Sequence, residues 1–212
     1  MASNAPSNIK DLLQYATSLD PAQAAALAGK QVISETKYDT LTLPAAAVGA
    51  QTQFFANQTA ELALKNFDGN GILVGTGRLF LAQTLGVKIT GNAAATTAQN
   101  ILDVVNRCCI RLQVDNKIMG TFPVHQLTGF GGIYAPSQVA VTAAAAPAGA
   151  VANFGLENGS PQNQPFRLSP MLIEGQKAFA AFLISPTGTP IVLAGTLDLK
   201  VIVGGLQFQA IQ

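Results

Sequence analysis

Charge is what this chain has least of. Only 11% of its 212 residues are Asp, Glu, Lys or Arg, against roughly a quarter in ordinary soluble domains. Tryptophan is absent, histidine occurs once, and the two cysteines are the neighbours Cys108 and Cys109. Although 49% of the chain is hydrophobic, no run of about 18 apolar residues occurs, so no membrane-spanning helix is expected. Each shortage removes a class of function. A single histidine, His125, excludes a multi-histidine metal centre, and a structural role is expected for it. The 12 basic and 11 acidic residues give a formal charge of +1, which leaves no global field to gather nucleic acid. Lys10 and Lys30 are the only basic residues in the first thirty, so a dense basic arm that condenses RNA is not expected, nor is sequence-specific nucleic-acid binding.

Two adjacent cysteines cannot staple a small secreted module. On a strand they point to opposite faces, and a bridge between neighbours is strained. Synthesis in a reducing compartment is therefore expected. The opening Met1-Ala2-Ser3-Asn4 lacks the charged start and apolar block of a signal peptide, and none is expected. The triplets Asn57-Gln58-Thr59 and Asn158-Gly159-Ser160 accordingly read as loop polarity rather than glycosylation sites.

What replaces charge is Gln, Asn, Thr, Gly and Ala. A neutral amide or hydroxyl that exchanges water for a new hydrogen bond costs far less to desolvate than an ion does. Near-zero net charge also removes long-range repulsion between copies. Such a surface suits a chain packed against copies of itself.

The first thirty residues read differently from the rest. Ile9, Leu12, Leu13 and Ala16 follow the i, i+3, i+4, i+7 spacing of one helical face. Asp20-Pro21 reads as an N-cap followed by proline at the first helical position, and Gly29 ends the Ala-rich run 22–28. Two short helices are predicted, over 8–18 and 21–28, forming an N-terminal arm (residues 1–30). From Gln31 the spacing changes to that of strands, predicted over 36–43, 53–64, 72–74, 78–85, 87–90, 118–123, 166–168, 178–184, 191–194 and 196–211. The segment 100–114 reads as a strand whose first half fits a short helix equally well. Asp68-Gly69-Asn70-Gly71 and Asp115-Asn116-Lys117 mark turns. Long Gly-, Pro- and Ala-rich connections, above all 129–163, separate these elements. Short strands without sustained helix–strand alternation predict an all-β antiparallel sandwich over residues 31–212.

Candidate chemistry is sparse. Asp68-Gly69-Asn70-Gly71 opens like a calcium loop but lacks the later ligands and the closing Glu, so it reads as a plain turn. Gly75-Thr76-Gly77-Arg78-Leu79-Phe80 begins like a dinucleotide fingerprint, but Phe80 stands where Gly or Ala is required and a strand follows rather than a helix. Neither cysteine has a nucleophile context, no Gly-x-Ser-x-Gly elbow occurs, and the scattered acids nominate no carboxylate pair. No enzymatic activity, cofactor or metal is expected. The alanine runs 93–98 and 143–150 read as loops, or as apolar segments that order against a neighbouring subunit with little side-chain entropy to lose.

Several stretches resemble the jelly-roll capsid proteins of tailless icosahedral viruses, particularly those of bacteria. The resemblance lies in Phe54-Phe55-Ala56-Asn57, Gly71-Ile72-Leu73, Leu79-Phe80-Leu81, Ile110-Arg111-Leu112-Gln113-Val114 and Phe122-Pro123-Val124. It continues through Phe166-Arg167-Leu168-Ser169-Pro170 and Ile173-Glu174-Gly175-Gln176 to Phe179-Ala180-Ala181-Phe182-Leu183. It implies a single eight-stranded antiparallel jelly-roll sandwich, since a double roll wants a longer chain. It also implies a structural subunit that self-assembles into an icosahedral shell in the virion after synthesis in the host cytoplasm. Copies of itself and other capsid proteins would be the partners, with an internal membrane or inner layer a further contact for the arm. The interface candidates are Ile9, Leu12, Leu13 and Ala16 of the arm and Ala144, Ala145 and Ala146 of the long loop. The alternative is a glycan- or receptor-binding β-sandwich module of a spike or vertex, which would need exposed aromatics. A hydrolase on the same scaffold would need two carboxylates facing each other across a cleft.

Overall fold

A computed structural model of the chain describes residues 30–57, 64–91, 98–128, 133–135, 154–156, 165–185 and 190–210. Residues 1–29 of the arm, residues 93–97 of the first alanine run and the whole of the run 143–150 lie outside them, and with them Ile9, Leu12, Leu13, Ala16, Ala144, Ala145 and Ala146.

The described chain is mostly strand, arranged as two antiparallel sheets. In chain order the strands are β1 (Lys30–Leu43), β2 (Gln51–Phe54), β3 (Lys65–Asn66), β4 (Leu79–Gly91), β5 (Cys109–Val114) and β6 (Lys117–Pro123). They continue with β7 (Ile133–Ala135), β8 (Phe154–Leu156), β9 (Phe166–Glu174), β10 (Phe179–Ile184) and β11 (Leu197–Ala210). Two helices interrupt them, α1 (Ala98–Arg107) and the single turn α2 (Val124–Leu127). The larger sheet runs β3-β1-β11-β4-β7-β8, with β9 sharing the far edge of β4, and the smaller runs β2-β10-β5-β6. The short β4–β7 pairing is parallel; the others are antiparallel.

Side chains of both sheets meet in one core. Phe80, Leu85, Val87 and Ile89 of β4 and Leu199, Val201 and Val203 of β11 face Phe54, Ile110, Leu112, Phe179 and Leu183 of the smaller sheet. The helix predicted as one of two options over 100–107 is formed. Ile101, Val104 and Val105 lie buried on one face of α1, followed by Cys108, the spacing of a helical stripe packed on a sheet.

Other expectations shift for physical reasons. The strands predicted over 78–85 and 87–90 are one 13-residue strand. The pairing of β4 slips between Ala82 and Thr84, and that of β11 between Gly204 and Gly205. The extra residue, Gln83, reverses which side chains point inward. Phe80 and Ala82 therefore share the core face with Leu85, Val87 and Ile89. Residues 72–74 and 191–194 form isolated bridges rather than strands. They are apolar because Leu73, Val74, Ile191 and Leu193 plug opposite ends of the sandwich. Of the strand predicted over 53–64, β2 ends at Phe54 and residues 58–63 lie outside the described ones, and β1 starts at Lys30, one residue before the expected boundary.

Candidate functional site: a polar cleft and the exposed apolar edge

Along the inner face of β1 the residues Leu43 and Leu41 give way to Asp39, Lys37 and Glu35, all on the period of two that faces one side. Here the hydrophobic core gives way to charge, beside residues 64–78. An open cleft of about 810 Å³ lies at this junction, lined by Glu35, Lys37, Tyr38, Asn66, Phe67, Asp68, Gly75, Thr76 and Arg78.

Asp68 is its hub. One carboxylate oxygen accepts from Lys37 Nζ at 3.1 Å, and the other from Gly75 N at 2.8 Å and Arg78 Nη1 at 2.9 Å. Glu35 completes the group at 2.9 Å from Lys37 Nζ. Burial alone would raise the Asp68 carboxyl, but the Gly75 amide, Lys37 and Arg78 outweigh it and hold it below its ordinary value. Beneath the cleft, Asp39 is fully buried, accepts from the Phe55 amide, and has Lys65 Nζ 3.4 Å away. Burial dominates there and pushes its carboxyl up, against the Phe55 amide and Lys65.

These contacts tie residues 64–78 to β1. Asp68 is held ionised and surrounded by donors, so it has no proton to give. Asp39, with its raised carboxyl, is fully buried and accepts from the Phe55 amide. The two carboxylates of the cleft converge on one ammonium instead of facing each other across a reacting bond. Among the described residues no group of three or more His, Cys, Asp or Glu is placed to hold a metal ion, and no helix is long and apolar enough to cross a membrane. His125 is exposed on the single turn α2. Cys108 is buried, and desolvation together with the adjacent Cys109 pushes its thiol up to about 11, which suppresses the reactive thiolate.

The turn expected at 68–71 is therefore also an anchor, which sequence reasoning missed. The available signal was a pair of basic residues, Lys37 and Arg78, on either side of an Asp-Gly turn in a chain so poor in charge. The pH dependence tests the anchor. A carboxylate held below its unfolded value contributes stability above that value and loses it as pH falls through the folded one. Wild type is thus expected to exceed Asp68→Asn by about 2 kcal/mol near neutrality, with the gap closing as pH falls below the ordinary carboxylate range. Urea midpoints across that range check it, and a gap independent of pH would refute it.

The other exposed feature is apolar. β6 is an edge of the smaller sheet, and its outset carries Ile118 and Met119, 56% and 38% exposed. At the opposite end of the sandwich, Val192 is 61% and Leu102 36% exposed. Asn100 ties α1 to the segment 192–194, donating to Val192 O and accepting from Ala194 N. Tyr38, an aromatic of the cleft, is half-buried with Lys200 Nζ 4.5 Å over its ring, so it does not offer an open face to a sugar. No protein-family model matches the chain, and a search of curated proteins finds no relative.

Proposed function

We propose that the chain is a structural subunit of a viral capsid, self-assembling into an icosahedral shell, and that its principal strands wind as a single eight-stranded jelly roll. The observation that carries the reading is the strand order. Leaving aside the short β3, β7 and β8, one sheet reads β1-β11-β4-β9 and the other β2-β10-β5-β6. Numbered one to eight in chain order, these are 1-8-3-6 and 2-7-4-5. Strands one to four run alongside strands eight to five, the pattern of a folded ribbon rolled up once, which is the jelly roll.

Three further features support the assembly reading. The surface is poor in ions, the cleft pairs its charges internally, and the edge strand β6 exposes Ile118 and Met119 between its guarding residues Lys117 and Pro123. A shell subunit buries such edges and neutral surfaces against its neighbours. The alternative, a glycan-binding module, would need an open aromatic face, and the aromatic side chains of described burial, Tyr38 and the phenylalanines from Phe54 to Phe122 and from Phe166 to Phe208, are buried or half-buried.

Sedimentation and electron microscopy of the purified full chain test the proposal. Rings, sheets or shells that grow with concentration, and that Ile118→Lys with Met119→Lys suppresses without changing the thermal midpoint, are the expected result. A monomer at the highest attainable concentration, over a range of salt and pH, would overturn it.

A further inference from the structure

In the smaller sheet Ile110, Leu112, Ala181 and Leu183 point into the core, so the residues between them point away from it. Register places Gln53, Phe182, Arg111 and Thr121 in one row on that outer face, across all four strands. Ile184 and Ile118 stand in the rows on either side. Arg111 is the one charged side chain among them. Its Nε is shut off from solvent and has no hydrogen-bond partner, and the guanidinium enters no ion pair among the described residues. A guanidinium N–H withdrawn from water without an acceptor is costly, and its planar fork matches the two oxygens of a carboxylate.

We infer that this face is an interface between copies of the chain, in which Arg111 of one copy takes the Glu174 carboxylate of the next. The make-up of the face selects a protein partner. A nucleic-acid backbone is held by many cations. A lone arginine among aromatic and aliphatic side chains, ringed by neutral amides and hydroxyls, is instead the composition of a protein–protein interface centre. The chain itself holds the complementary charge. Glu174 is exposed at the end of β9, and among the described residues its carboxylate enters no ion pair and accepts no hydrogen bond. Every other described carboxylate has a lysine, Gln99 or Thr42 against it. Arg111 and Glu174 belong to different sheets, so the contact runs head to tail, the kind from which rings close. The inference rests on the self-association proposed above and names one of its contacts.

The test uses two charge reversals in the full chain, Arg111→Glu and Glu174→Arg, followed by sedimentation of each variant alone and of an equal mixture. Alone, each variant sets like charges against each other and is expected to associate about 30-fold more weakly than wild type, or worse. In the mixture Glu meets Arg at every contact between unlike chains, and association is expected to return. Recovery on mixing separates a lost contact from a lost fold, because unfolded chains do not recover. Single variants that associate as wild type does would overturn the inference, and so would a mixture no better than its components. Either result leaves shell assembly by other surfaces standing. Association restored by mixing, in a wild-type protein that forms no rings or shells, would keep this contact and remove the shell. A wild type that never associates would remove both.

Discussion

Replacing Gly205 by alanine is expected to destabilise the chain by about 4 kcal/mol or more, enough to exhaust much of the margin of an ordinary domain. A Cβ at Gly205 would lie 2.0 Å from Leu81 O, 2.9 Å from Leu81 C and 3.1 Å from Ala82 Cα. All three are backbone atoms of the neighbouring strand, so no rotamer relieves the clash. Strands β4 and β11 would have to separate at the bulge, and the bulge is what turns Phe80 and Ala82 toward the core. Gly204→Ala is the control. Its Cβ would meet only Thr84 Oγ1 closely, at 2.4 Å, and a hydroxyl rotates away, so a cost of about 1 kcal/mol is expected. Urea unfolding of the two variants decides the matter. Equal midpoints would mean that the bulge yields easily.

The second large effect is expected at Phe55. Its ring is fully buried, edge-on to Phe67 at 5.3 Å and to Phe179 at 5.1 Å. Truncation to alanine should cost about 3–5 kcal/mol from the cavity alone, with about 0.5–1.5 kcal/mol for each lost ring pair. The backbone adds a sharper test. Phe55 sits at φ 62°, a region that side chains rarely adopt and glycine enters freely. The amide held there by Asp39 keeps this conformation in the folded state. Phe55→Gly should therefore be no less stable than Phe55→Ala, a reversal of the usual order inside a fold. Thermal melts of the two proteins compare them directly, and a glycine variant well below the alanine one would show that the left-handed turn carries no strain.

Much of the fold was legible in the residues. Alternation marked β5, β6, β10 and β11, and Asp115-Asn116 marked the hairpin between β5 and β6. The helical stripe before Cys108 was visible as one of two options, because four apolar residues at 101, 104, 105 and 108 fit a helix better than a strand. Where the reading departed, the cause is a tertiary one. The bulge at Gln83 breaks the alternation of β4, so a single long strand looks like two. Residues 72–74 and 191–194 are apolar to plug the ends of a sandwich, a demand that resembles a strand's from within the chain. The cleft was hidden because its hydrogen bonds to Asp68 come from 31 and 10 residues away, and only strand register brings Lys37 and Arg78 to one carboxylate.

The pairing of β1 with β11 has a consequence for how the protein is made. All fourteen positions of β1, from Lys30 to Leu43, are matched with β11, from Ala210 back to Leu197. The first described strand thus has its longest partner at the far end of the chain. At about 5–20 residues per second, β1 waits roughly 10–30 s for that partner to be synthesised. During the wait its inner edge, with Leu41 and Leu43, has nothing to pair with. The smaller sheet's β5–β6 hairpin, whose strands are separated by two residues, closes without such a delay. The pairing of β1 with β11 in the larger sheet is completed only once its last strand has been synthesised.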